Sequence, residues 1–188
     1  MERLIKQLEK QHSGIKVLAL FLLTNIVYAY MLLVTIPATM EFSNGLQLLD
    51  MMPTGYDLEV VNTLFNTLGD TGRQTYLTKQ IPVDMMYPLL FAISYAAILA
   101  YFLNKLPKLN PKFLYLCLLP IIAGIADYIE NIGIISLLNA YPTVTETSVN
   151  ITSMFSIIKS SATTIYFLVL IVVLMILGFR KLKSRSKN

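Results

Sequence analysis

Asp127, Glu130 and Asn131 stand three and four residues apart in the run Ala126-Asp127-Tyr128-Ile129-Glu130-Asn131, a spacing that puts all three on one helix face. Two carboxylates so placed repel each other and need a compensating cation. If their proton affinities are driven apart, such a pair suits proton transfer. If a cation neutralises them, they form a buried ion-pair network that fixes helix register. Lys159 is the cation expected at the same depth, and Arg73 is a second one able to reach in from a connecting segment. Around Lys159, Ser156, Thr163 and Tyr166 recur at helical spacing. Asp84, Tyr87, Phe91 and Tyr95 form another such stripe, and Asn25 and Tyr28 a shorter one. The tyrosines read equally well as interfacial aromatics, and Lys159 as a side chain that snorkels to the surface.

Several chemistries are excluded by count. Cys117 is the sole cysteine, so no intramolecular disulfide or dithiol couple exists; within its apolar run it reads as a small core residue. His12 is the sole histidine, which removes a histidine-based metal cluster and a Ser-His nucleophilic pair. No metal and no cofactor is expected, and no catalytic residue can be assigned.

The elements that must position these residues are membrane helices. Of 188 residues, 55% are hydrophobic and 14% charged, about half the charge of an average soluble domain. Between Lys16 and Glu41 lie 24 residues without a charge, between Asp84 and Lys105 lie 20, and between Lys159 and Arg180 another 20. About 20 apolar residues cross a hydrocarbon core. A further run, interrupted by Asp127 and Glu130, completes four spans at about residues 17–37, 85–104, 113–139 and 155–179. The expected fold is all-α: one integral membrane domain over 1–188, a four-transmembrane-helix bundle of a multi-pass protein. The first run is too long for a signal-peptide core and reads as an uncleaved anchor. Pro120 is expected to kink the third span. Counted at 1.5 Å per residue, Asp127 lies about 21 Å above Phe113 and Lys159 about 9 Å below Ser153, so both belong to the same leaflet.

Charge distribution orients the chain. Twelve basic residues stand before the first span (Arg3, Lys6, Lys10, Lys16), in the 105–112 connection (Lys105, Lys108, Lys112) and in the 180–188 tail (Arg180, Lys181, Lys183, Arg185, Lys187). By the positive-inside rule these segments are cytoplasmic, and the membrane is expected to be the plasma (cytoplasmic) membrane. The overall +4 then divides into +10 inside, −4 outside and −2 within the spans. It reports topology and anionic headgroups, and no nucleic-acid partner is expected.

The outer loop, 37–83, is too long to be a plain linker. Leu58, Val61, Leu64, Phe65 and Leu68 predict an extracytoplasmic amphipathic helix, capped by Asp57 and ended by Gly69. A second short helix is expected over residues 73–80, with Pro82 marking the turn into the next span. Such a loop either seals the bundle or forms a lid over a site.

The motifs Gly72-Arg73-x-x-Tyr76-Leu77, Asp84-x-x-Tyr87-Pro88 and Asp127-Tyr128-x-Glu130-Asn131 resemble patterns in small bacterial four-span integral membrane proteins of uncharacterised activity. The resemblance covers residues 70–135 and implies no reaction. The general layout also resembles the four-helix membrane fold of sterol isomerases and sigma-2-like receptors, but the residue spacings differ and no site residue carries over.

These readings place a polar pocket in the outer half of the bundle, built from Asp84, Tyr87, Asp127, Glu130, Asn131 and Lys159, with Arg73 and Tyr76 from the loop. The favoured function is binding a lipid or small amphiphile, or support of a membrane complex. The alternatives are a lipid or isoprenoid enzyme with Asp127 and Glu130 as acid and base, and a proton- or cation-coupled carrier. The expected partners are the bilayer, such an amphiphile and a second copy in a homo-oligomer.

Overall fold

The computed structural model describes residues 13–106 and 110–185. Arg3, Lys6, Lys10, His12, Lys108 and Lys187 lie outside that set, as do the side chains of residues 184 and 185. Among the described residues the chain is all-α. Helix α1 runs Gly14–Met40, 27 residues or about 40 Å. A 3₁₀ turn, Leu49–Met51, follows in the connecting segment. Helix α2 (Leu58–Thr75) continues through a wide turn, Tyr76–Gln80, and a helical turn, Ile81–Asp84. Helix α3 is Tyr87–Leu103; a 3₁₀ stretch, Pro111–Leu118, leads into α4, Leu119–Ala140; α5 is Glu146–Arg185. Four helical stretches are long and apolar enough to cross a membrane: α1, the run ending in α3, the run ending in α4, and α5.

The helices outrun the uncharged stretches that announce them. Helix α1 continues through Pro37 to Met40, and α5 begins at Glu146, which leaves only residues 141–145 as the last connection. Pro82 does not make the turn into the second span. It sits in the first turn of Ile81–Asp84, and the break falls at Met85 and Met86. Pro120 occupies the first turn of α4, where 3₁₀ geometry gives way to α.

Both prolines inside long helices share one solution. A proline removes a backbone donor and crowds the carbonyl four residues back. Immediately before Pro37 and Pro82 the helix widens, and the Ile36 and Ile81 amides bond five residues back, to Met31 and Tyr76. The local sequences are alike, Thr35-Ile36-Pro37 and Gln80-Ile81-Pro82, and the two wide turns meet, with Thr35 Oγ1 donating to Gln80 Oε1 at 2.5 Å.

Helix α1 packs on α3, α3 on α4, and α4 on α5, which leaves a gap between α1 and α5. Two apolar cores result. The lower one centres on Phe91, Tyr95, Leu99, Leu103, Cys117 and Tyr166. The upper one joins α2 (Val61, Leu64, Phe65, Leu68) and the segment before it (Leu48, Leu49) to Ile134 and Leu137 of α4. The amphipathic helix is therefore a cap folded onto the bundle. Asp57 caps it, accepting from the Val60 amide at 2.9 Å, and Gly69 (φ +60°) breaks it, so the second helical piece starts at Asp70. Outside these cores the surface is apolar over the height of α1 and α5, with Leu18, Leu22, Leu33, Leu168, Ile171 and Met175 exposed, as a bilayer requires.

The α4–α5 crossing is the tightest. A Cβ on Gly133 would lie 2.4 Å from Thr152 Oγ1, inside contact distance, whereas nothing lies within 4 Å of a Cβ on Gly178. Gly133→Ala is expected to destabilise the protein by about 1–3 kcal/mol and Gly178→Ala to leave it unchanged or slightly more stable. Thermal unfolding of both variants in the same detergent checks this.

Candidate functional site

The polar residues that the sequence places on separate helices meet between the two apolar cores. Glu130 and Asp127 lie one turn apart on α4, and Ser156 and Lys159 one turn apart on α5. Close packing brings the two faces together. Lys159 Nζ stands 2.5 Å from Glu130 Oε2 and 3.3 Å from Asp127 Oδ1. Ser156 donates to the second Glu130 oxygen, Oε1, at 2.5 Å. The Glu130 side chain is wholly buried, and that of Lys159 is 18% exposed. Lys159 therefore does not snorkel; it points into the bundle.

The cap closes this cluster from above. Lys159 also donates to the Asp50 carbonyl at 3.2 Å. The Asp50 carboxylate accepts from the Tyr76 hydroxyl and from Gln80 Nε2, the latter at 3.0 Å. Through Gln80 the chain of bonds reaches Thr35 on α1. The Tyr56 amide donates to Ser153 Oγ at 2.7 Å. Burial, with the negative charge of Glu130 beside it, holds the Tyr56 phenol above its ordinary range, so it remains a neutral hydroxyl. Tyr76 thus joins the network through Asp50, an acid of the segment that connects α1 to the cap helix.

Arg73 does not enter the cluster. Its guanidinium pairs with Asp70, donates to the Phe65 carbonyl at 2.6 Å, and lies 4.5 Å from the centre of the Tyr141 ring. The Phe65 carbonyl belongs to the last turn before the Gly69 break, so Arg73 ties the helical pieces on the two sides of that break together. It is a pin holding the cap in shape. On α1 the buried polar group at the α3 contact is Thr24, which donates to Leu90 O at 3.3 Å; Asn25 bonds back to Phe21 O of its own helix.

Asp84 and Asn131 are placed differently from the paired groups. Asn131 Nδ2 donates to the Asp84 backbone carbonyl at 3.4 Å. Asp84 Oδ2 and Asn131 Oδ1 are buried and find no hydrogen-bond partner among the described residues. Asp84 is 4% exposed and faces a cleft of about 430 Å³, which occupies the upper part of the gap between α1 and α5. Asp50 and Met51 of the cap roof it, and Asp84, Asp127 and Lys159 line its polar end. Tyr28, Tyr87 and Phe91 supply aromatic surface, Met31, Leu32 and Ile36 the α1 wall, and Ser160, Thr163 and Thr164 the α5 wall. Tyr28 stacks on Tyr87 at 5.4 Å. Below, Phe91 stacks on Tyr95, Tyr166 meets both rings edge-on, and Tyr166 donates to Tyr95 O at 2.9 Å, closing the floor. Glu130 is not among the lining residues.

Lys159→Met is expected to cost about 3–5 kcal/mol, because it leaves Glu130 buried without its cation. Adding Glu130→Leu is expected to recover most of the loss, which a double-mutant cycle of unfolding in detergent measures. With this geometry in hand, the chain matches no family model, no curated protein and no solved structure at a significant level.

Proposed function

We propose that this is a multi-pass membrane protein that binds a lipid or small amphiphile in the cleft between α1 and α5. The observation that carries this reading is the cleft itself. It joins a buried, unpartnered carboxylate oxygen, Asp84 Oδ2, to an apolar and aromatic wall. Its rim, at Tyr28, Leu32 and Thr164, is exposed on the side where the bundle surface is apolar. A ligand that partitions into the bilayer enters sideways, without crossing the cap. Acceptors outnumber donors at the polar end, so the head of that ligand must bring hydrogen-bond donors. With the basic segments cytoplasmic, the cap and the cleft belong to the outer leaflet of the plasma membrane.

The burial of Glu130 favours binding over acid–base catalysis. Only Asp127 of that pair faces the cleft, while Glu130 is held by Lys159 and Ser156 behind it. The aromatic floor of Phe91, Tyr95 and Tyr166 favours binding over transport, since the apolar core to which these rings belong fills the bundle below the polar end.

Thr163→Phe fills the cleft from α5 without touching an ion pair, and Asp84→Asn alters its polar end alone. Protein extracted in mild detergent is expected to carry a bound mass in native mass spectrometry that both variants lose, roughly tenfold or more in occupancy. Equal retention by wild type and Thr163→Phe would sink the reading.

A further inference from the structure

A second concavity, separate from the cleft, lies toward the opposite end of the bundle. It measures about 400 Å³ and is lined only by apolar side chains, among them Leu103 at the end of α3, Leu106 after it, Phe113 and Leu116 of the 3₁₀ stretch, and Val172 and Ile176 of α5. Along α5 it extends from Leu168 to Ile176, about 12 Å, which is the direction in which a lipid chain would run if α5 spans the bilayer.

Cations on three elements neighbour the lining of this groove in sequence. Lys105 adjoins Leu106, and its ammonium lies 4.1 Å from the centre of the Tyr101 ring. Lys112 adjoins Phe113 at the start of the 3₁₀ stretch. Arg180 follows Ile176 by one turn of α5, so it continues the same helix face past the last apolar lining residue. Lys112 and Arg180 are exposed. Among the described residues no Asp or Glu stands at this end: each belongs to the cap, to its flanking turns, to the start of α5 or to the cluster around Lys159. A chain-shaped apolar groove with exposed cations next to its lining on two elements, Lys112 and Arg180, is complementary to one kind of bilayer molecule.

We propose that this groove seats an acyl chain of an anionic phospholipid, whose phosphate-bearing head is held by Lys112 and Arg180 with Lys105 beside them. The site is independent of the cleft and shares no lining residue with it. In the orientation that the basic residues set, it lies in the inner leaflet, where anionic headgroups and juxtamembrane cations attract each other.

The test is native mass spectrometry of the full chain, delipidated in mild detergent and titrated with phosphatidylglycerol or with phosphatidylcholine of the same acyl chains. Wild type is expected to retain phosphatidylglycerol with roughly tenfold preference. Lys112→Gln combined with Arg180→Gln is expected to bring the two lipids to near equality, since both substitutions are on exposed side chains that leave the fold intact. Val172→Trp, which fills the groove, is expected to lower retention of both. Arg73→Gln combined with Lys79→Gln, which removes the two cations of the cap, is expected to leave the preference unchanged. Equal retention of the two lipids by wild type overturns the proposal. So does a preference that survives Lys112→Gln/Arg180→Gln, or one that soluble glycerol phosphate abolishes at millimolar concentration. A groove closed by a second copy of the chain, seen as a dimer that excludes phosphatidylglycerol, overturns it as well.

Discussion

One buried ion pair, Lys159 with Glu130, sets the terms for the rest of the bundle. Each charge near the middle of an apolar helix costs about 2.5–3.5 kcal/mol on insertion scales, and α4 and α5 carry three such groups between them. Placed face to face, the charges compensate one another, and the Ser156 hydroxyl satisfies the remaining Glu130 oxygen. That arrangement tolerates little rotation: turning either helix by one residue moves its polar face by about 100°. Gly133 against Thr152 lets the backbones approach closely enough for these short bonds. The ion pair and the glycine contact are thus two parts of one constraint on the α4–α5 pair.

The same lysine organises the cap. Its bond to the Asp50 carbonyl holds a segment whose carboxylate in turn orders Tyr76 and Gln80. Gln80 then reaches Thr35, so α1, which otherwise packs on α3 through the Thr24 bond to Leu90 O and the stacking of Tyr28 on Tyr87, is tied at its upper end to the cap. The tie holds α1 beside the wide turn of Gln80 and away from α5. The open cleft is a consequence: α1 is secured to a neighbour that leaves its other flank facing lipid. Asp84, at the end of the same helical turn as Pro82, is left looking into that space.

The helical faces could be read from spacing because period 3.6 is a local property. Asp127, Glu130 and Asn131, and Ser156 and Lys159, were visible as stripes, and the scarcity of charge made them stand out. Asp57 and Gly69 announced the amphipathic cap helix in the same local way. Asp50 was not legible, since an acid in a polar connecting segment looks solvated and its partners lie 26, 30 and 109 residues away. Thr35 and Gln80 looked like ordinary members of an apolar run and a loop helix. The only hint was the repeated Ile-Pro that follows each. Arg73 was misplaced for a related reason: a cation near buried acids invites pairing, but Asp70 and the Phe65 carbonyl of its own helix were nearer. Proline punctuation also misled at Pro82, because a widened turn accommodates the ring without ending the helix.

The long reach of the bonds at Asp50 and Tyr56 bears on how the molecule is assembled. The segment carrying these residues emerges early in synthesis, between the first two spans, yet its anchors Ser153 and Lys159 arrive about 100 residues later. Until α5 is inserted beside α4, Glu130 and Asp127 have no cation and the cap lacks its anchors at Ser153 and Lys159. The roof of the cleft is therefore the last part to be pinned, and a chain that ends before α5 keeps its first span but lacks the cation for its acids, the bond that holds the roof and one wall of the cavity.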